Sequence, residues 1–300
     1  DTSLIQRRIS DIMQTQGDVL CSLYPQLLNT ENAGRAHTIL YGCFASANTI
    51  VMLIPAITQV FGISALPTVT AAWTEGVRDK IRRSIESVIR ITTMITFPAG
   101  LGLSVMAKPI AELLYLQPGN EAEVAVIAEV LSLLGIASIF LATSTPICSM
   151  LQAAGRVDLP VKLLSVGVVI KVALNYVVVG IPEINIQGAG LGTLVCYIFI
   201  VVGALVCLKR QTKVKLSVVS LFLKPALAAG ICALSAYHSH RLLAMALGSS
   251  RLITLASLAV AVFFYVAALL SLRILEKEDV LMLPKGQKIA KILEKHKWIE

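Results

Sequence analysis

Apolar side chains run along this chain in long unbroken blocks, without the alternation of a strand or the one-sided stripe of a soluble helix. A helix that crosses a bilayer needs about 20 mainly apolar residues to span about 30 Å of hydrocarbon. Seven blocks meet that length: 36–72, 87–115, 124–152, 160–181, 188–208, 218–237 and 252–272. The first is interrupted by Pro55 and Pro67. Strands are a poor alternative, because backbone in lipid must satisfy its own hydrogen bonds and an isolated strand cannot. The pattern therefore predicts an all-α fold, a polytopic transmembrane helix bundle. It divides into the end of a truncated helix (1–14), a seven-helix lobe (15–272) and a basic tail (273–300).

Composition removes the soluble alternatives. The chain has 300 residues, 56% of them hydrophobic and 15% charged, against roughly 45–50% and 25% in ordinary globular proteins. With a mean hydropathy of +0.78, no soluble domain of this length could bury so much apolar surface. The six cysteines lack CxxC spacing and mostly sit inside apolar runs, where they read as small hydrophobes. Asp1 is not an initiator Met and no signal peptide follows it, so the sequence reads as a fragment.

A net charge of +8 raises the question of nucleic acid, but its distribution answers differently. Segments 72–87, 152–163 and 209–215 and the tail from Arg273 carry 17 Lys and Arg, against three (Arg35, Arg241, Arg251) on the intervening loops. This asymmetry follows the positive-inside rule and predicts a multi-pass plasma-membrane protein with a cytoplasmic C-terminus. The basic loops then face anionic lipid, and no nucleic-acid partner is expected. In the tail, Ile289, Ile292 and Leu293 share a helical face ringed by Lys288, Lys291 and Lys295, as in a helix lying on a membrane surface or a solvated terminal helix.

Chemistry is confined to a few positions. Pro55, Pro67, Pro98 and Pro146, with Pro109 and Pro225, lie in or beside the apolar runs, and each removes a backbone hydrogen bond. Together they suggest kinked helices that gate, as in broken-helix transporters. Glycines cluster at 100 and 102 and at 188, 190 and 192, permitting close helix approach. Lys108 and Glu112 have pairing spacing, while Lys108 and Lys224 read as cations snorkelling to the interface. Lys171 lies inside the fourth run, one turn before Asn175, and is open to a structural or a functional reading. Arg7 and Arg8 could face an aqueous cavity or the interface. No P-loop, HExxH or intramembrane carboxylate pair is present, and His238-Ser-His240 is a weak metal signal. No enzyme activity, metal or cofactor is expected.

Several phrases also occur in a telling order. They are Leu40-Tyr-Gly42, Leu53-Ile-Pro55-Ala56, Ala65-Leu-Pro67-Thr, Phe97-Pro-Ala-Gly-Leu-Gly102 and Leu151-Gln-Ala-Ala-Gly155-Arg with Pro160. Lys171-Val-Ala-Leu-Asn175-Tyr, Ile181-Pro-Glu-Ile-Asn185-Ile-Gln-Gly188-Ala and Leu283-Pro-Lys-Gly286 complete the series. Over nearly its whole length the chain resembles the second half of the stage V sporulation protein B-like polysaccharide exporters. These are relatives of the MurJ/MviN lipid II flippases in the MATE-like exporter superfamily.

The resemblance implies the second lobe of a 14-helix transporter, with the N-terminal lobe as its missing partner. It implies movement of a lipid-linked oligosaccharide from inner to outer leaflet by alternating access, in cell-wall or spore-cortex synthesis, coupled to an ion gradient or the membrane potential. Arg7 and Arg8, with Lys171 and Asn175, are the residues it places near a pyrophosphate-bearing head group. A MATE-type drug/cation antiporter is the first alternative, and would need a buried acid, for which Glu112 is the candidate. A membrane glycan ligase or polymerase would need a long outer loop, and no outer loop here exceeds about two dozen residues.

Overall fold

The computed structural model describes residues 2–28, 32–214, 216–217, 219–248, 250–272 and 274. The amphipathic tail and the closing Leu283–Gly286 phrase lie outside the described residues. The described elements are helices throughout: α1 (Thr2–Thr15), α2 (Gly17–Leu23), α3 (Ala36–Val51), α4 (Leu53–Glu75), α5 (Arg78–Val105), α6 (Ala107–Tyr115), α7 (Glu121–Ala153), α8 (Asp158–Val178), α9 (Asn185–Thr212), α10 (Lys224–Leu247) and α11 (Arg251–Ser271). Among these residues seven helical passes are long and apolar enough to cross a membrane.

Two of the apolar runs are broken in the structure, the first of them at one of its expected interruptions. The 36–72 block divides at Met52, and the 87–115 block divides at Met106. Each break lies three residues before a proline, Pro55 or Pro109. A proline lacks the N–H that would bond the carbonyl four residues back, and its ring crowds that carbonyl. The helix therefore stops, and a new one begins with the proline in its first turn, where no N–H is needed. Two glycines end helices in the left-handed region, Gly76 (φ 71°) after α4 and Gly155 (φ 77°) after α7.

At 33 residues, α7 is about 50 Å long, and it is the axis of the bundle. One apolar core joins it to α1, α3 and α6 through Leu131, Leu134, Ile9, Leu40 and Ile110. A second joins it to α4, α5 and α9 through Ile147, Leu151, Val69, Ile85 and Ile200. By contrast α8 buries little, and Val161, Leu164, Val168, Val169, Val172 and Val177 stand exposed along it. Phe263 and Phe264 do the same on α11. In water such surface would drive aggregation, whereas against lipid tails it costs nothing.

Three of the prolines are fastened across helices. Pro146 leaves the Ala142 carbonyl without its helical donor, and the Thr58 hydroxyl of α4 donates to that oxygen at 2.9 Å. Pro98 frees the Met94 carbonyl, which accepts from the Tyr265 hydroxyl of α11. Pro225 frees the Leu221 carbonyl, in the π-turn before α10, which accepts from the Thr93 hydroxyl of α5 at 2.8 Å. Three bends thus become three inter-helix hydrogen bonds, each closing an acceptor that lipid cannot satisfy. Thr58→Val, which keeps shape but loses the donor, should destabilise the bundle by about 1–3 kcal/mol. Tyr265→Phe should do the same, read as a lower thermal midpoint in detergent, while Thr49→Val, whose hydroxyl bonds only within its own helix, should leave the midpoint unchanged.

Candidate functional site

The four residues expected from the sequence lie where α1, α3, α8 and α9 meet. Two hydrophobic anchors on α1, Ile5 and Ile9, are fully buried, which turns Arg7 and Arg8 of the intervening turn away from the core. Both line a cavity of about 350 Å³ with Ser3, Leu4, Asp11 and Tyr176. The Arg8 guanidinium lies 4.4 Å over the Tyr176 ring. Its Nε donates to the Tyr176 carbonyl at 3.1 Å, and its Nη1 reaches Asp11 Oδ2 at 3.4 Å. Arg7 is exposed.

Lys171 and Asn175 follow the same helix inward from Tyr176. Asn175 is fully buried and its amide oxygen lies against the backbone of Gly192 on α9, where any Cβ would collide with it. Lys171 is half-buried, within electrostatic reach of Tyr41 on α3 and Cys196 on α9. Tyr41 is itself bonded to Thr2 of α1 at 2.7 Å. The four positions expected from the sequence thus lie on two neighbouring helices, with Arg7 and Arg8 around one cavity and Lys171 and Asn175 along the α8–α9 seam.

The surrounding cavities differ in character. One of about 550 Å³ is almost wholly apolar and is lined from α3, α4, α5, α6, α10 and α11, with Pro98, Met94 and Tyr265 in its wall. Another, about 360 Å³, lies among Tyr24, Gln26, Glu129, Glu183 and Gln187. Burial first, and Glu129 second, push the Tyr24 phenol up to about 12. Two carboxylates make that cavity unsuited to phosphate, so of these three cavities the cleft at Arg7 and Arg8 is the one whose charge favours an anion.

Sequence reading missed several participants. Tyr176 and Gly180 meet Arg8 across space, and nothing in their local spacing announces it, whereas Asp11, three residues on along α1, stood at pairing spacing. Arg90 was legible, being a lone charge within an apolar stretch of α5. It is 3% exposed, one turn beyond Glu86, whose carboxylate accepts from the Ser217 backbone N–H at 3.2 Å and pairs with Arg82 at 3.7 Å. The expected Lys108–Glu112 pair is present at 4.0 Å.

Apolar, lipid-facing helices around a packed axis, with a cationic cleft on one flank, define a polytopic helical membrane protein. Its family is shown by sequence: the model of the lipid II flippase MurJ family matches residues 43–255, more than half of the chain, and the chain belongs to that family. The lipid II flippase MurJ of Bacillus subtilis (strain 168) is 25% identical over 162 residues, covering 54% of this chain and 29% of that protein. A solved structure of a lipid II flippase MurJ in an inward closed conformation has a TM-score of 0.64 at 14% identity, over 78% of this chain and 48% of that one. The chain therefore spans about half the length of that structure and less of the curated relative. Arg7 and Arg8 precede the matched residues, while Lys171 and Asn175 fall within them.

Proposed function

We propose that this chain is the C-terminal lobe of a flippase that carries a lipid-linked oligosaccharide, of the lipid II type or a related polysaccharide precursor, from the inner to the outer leaflet. The observation that carries the reading is the cationic cleft of α1 and α8 in a bundle otherwise faced with hydrocarbon. A sugar-bearing diphosphate cannot cross lipid alone, because each unpaired polar group costs several kcal/mol there. A guanidinium fork binds two phosphate oxygens at once, and the apolar cavity beside Pro98 offers the hydrocarbon chain a wall of matching character.

In this reading a preceding lobe supplies the rest of the cavity, and the two rock by alternating access driven by an ion gradient or the membrane potential. Pro55, Pro67, Pro98 and Pro146 are the points where helices bend during that motion, and the hydroxyl bonds at Pro98 and Pro146 set how readily they do so. The basic loops and the C-terminus lie on the cytoplasmic side of a bacterial plasma membrane, and the cargo serves cell-wall or spore-cortex synthesis. A drug/cation antiporter has less support, since the buried polar groups among the described residues are hydroxyls, amides and Arg90, with no carboxylate.

The test is complementation with the full-length protein in cells depleted of their own lipid II flippase. Precursor held in the inner leaflet should become accessible to an externally added probe when the protein is supplied. Precursor that stays inaccessible while the protein is present in the membrane would refute the cargo.

A further inference from the structure

Two adjacent arginines border one cavity, yet their surroundings differ. The geometry points to a division of labour in which Arg7 binds the anion and Arg8 is a positioning residue that ties α1 to α8. This rests on the reading of the cleft as a phosphate site.

Consecutive helical residues point about 100° apart, so the two side chains leave α1 in different directions. Arg8 turns onto α8. Bidentate capture of a phosphate needs two parallel N–H groups along one free edge of the guanidinium plane. At Arg8 the Nε edge is committed to the Tyr176 carbonyl at 3.1 Å, and Nη1 is directed at Asp11 at 3.4 Å. Nη2 is packed against Gly180, where any added Cβ would collide with it. One face of the plane is covered by the Tyr176 ring at 4.4 Å, and the Asp11 carboxylate cancels the charge. Arg8 has no open fork to offer.

Arg7 is the opposite case. It lines the same cavity, is exposed, and among the described residues makes no ion pair or side-chain hydrogen bond. Its charge and its five donors are free for a ligand. Gly180 acquires a reason as well: a glycine there leaves the space in which the Arg8 guanidinium docks on α8.

The experiment uses the purified full-length protein in nanodiscs, with undecaprenyl diphosphate and inorganic pyrophosphate as probes, and amide hydrogen exchange of residues 2–15 as a second readout. Arg7→Ala should weaken undecaprenyl diphosphate binding at least about 10-fold with α1 exchange unchanged. Arg7→Lys should restore part of it, as a point charge without the fork. Arg8→Ala should change affinity less than Arg7→Ala does but raise α1 exchange about 3-fold or more. Gly180→Ala should copy Arg8→Ala by displacing the guanidinium.

Equal loss of binding from Arg8→Ala with α1 exchange unchanged would overturn the assignment, as would Arg7→Ala binding like wild type. Inorganic pyrophosphate bound as tightly as the lipid would make the cleft a site for the free anion, with Arg7 still its ligand. Wild-type protein that binds neither probe would refute the phosphate reading, and Arg7's role with it, while the exchange data would still decide the Arg8 tie.

Discussion

Gly135→Val should leave little folded protein, and what survives extraction should melt well below wild type. Gly135 of α7 and Gly100 of α5 mark a crossing where backbone meets backbone. A Cβ at Gly135 would stand 2.7 Å from the Ser104 nitrogen and 2.9 Å from the Gly100 carbonyl oxygen. A Cβ at Gly100 would stand 2.7 Å from the Gly135 carbonyl oxygen. Neither obstacle is the tip of a flexible side chain, so the helices themselves must separate. Because α7 is the axis for both apolar cores, that separation spreads to α3, α4 and α9. Overpacking of this kind costs about 1–3 kcal/mol or more, and in a membrane the association of helices depends on just such close contact between small residues. Gly42→Ala is the control, since nothing lies within 4 Å of its added Cβ, and a helical glycine replaced by alanine should gain about 0.5–1 kcal/mol. A Gly135→Val protein that melts with wild type in detergent would show that α5 and α7 do not cross there.

Transport should fall to background when Arg7 and Arg8 are both replaced by alanine. The cleft holds Arg7 and Arg8 against Asp11, one net positive charge, and Lys171 lies along the seam beside it. The double replacement leaves Lys171 and Asp11, with no net charge and no guanidinium fork. The two charge-assisted hydrogen bonds of the Arg7 fork contribute about 1.5–3 kcal/mol each, so losing them together with the Arg8 tie predicts about a 100-fold drop or more in precursor flipped per unit time. Lys171→Gln should have a smaller effect, since that cation lies along the seam and not in the cavity wall. The measurement is precursor accessibility in depleted cells, with membrane levels of each variant matched by immunoblot. A double variant that flips cargo at the wild-type rate would remove both arginines from the site.

Much of this was open to reading before any coordinates. Block lengths marked the seven runs that form long apolar helices among the described residues, because transfer into lipid is dominated by composition summed over about 20 residues. Lys171, Arg7 and Arg8 stood out for the same reason: a charge within or beside hydrocarbon is costly wherever its helix turns. The breaks at Met52 and Met106 were half legible. Each proline was visible, but whether it kinks, caps or ends a helix depends on what neighbouring backbone can do about the freed carbonyl. At Pro98, Pro146 and Pro225 a hydroxyl from another helix takes it; at Pro67 α4 simply runs on; at Pro55 and Pro109 the helix restarts.

The sequence by itself determined that this is a polytopic helical protein, which of the described helices are long and apolar enough to cross hydrocarbon, and where its charges are rare enough to matter. Only the tertiary structure decided which glycines are crossings and which stand open, which hydroxyl serves which proline, and that Arg8 is bound to Tyr176 and Asp11 while Arg7 is not. The reason is one of range. Burial in lipid is a local property, additive along the chain and so written in it, whereas a hydrogen bond or a backbone contact between helices is fixed by two segments far apart in sequence, such as Arg8 and Tyr176, whose meeting no single stretch encodes.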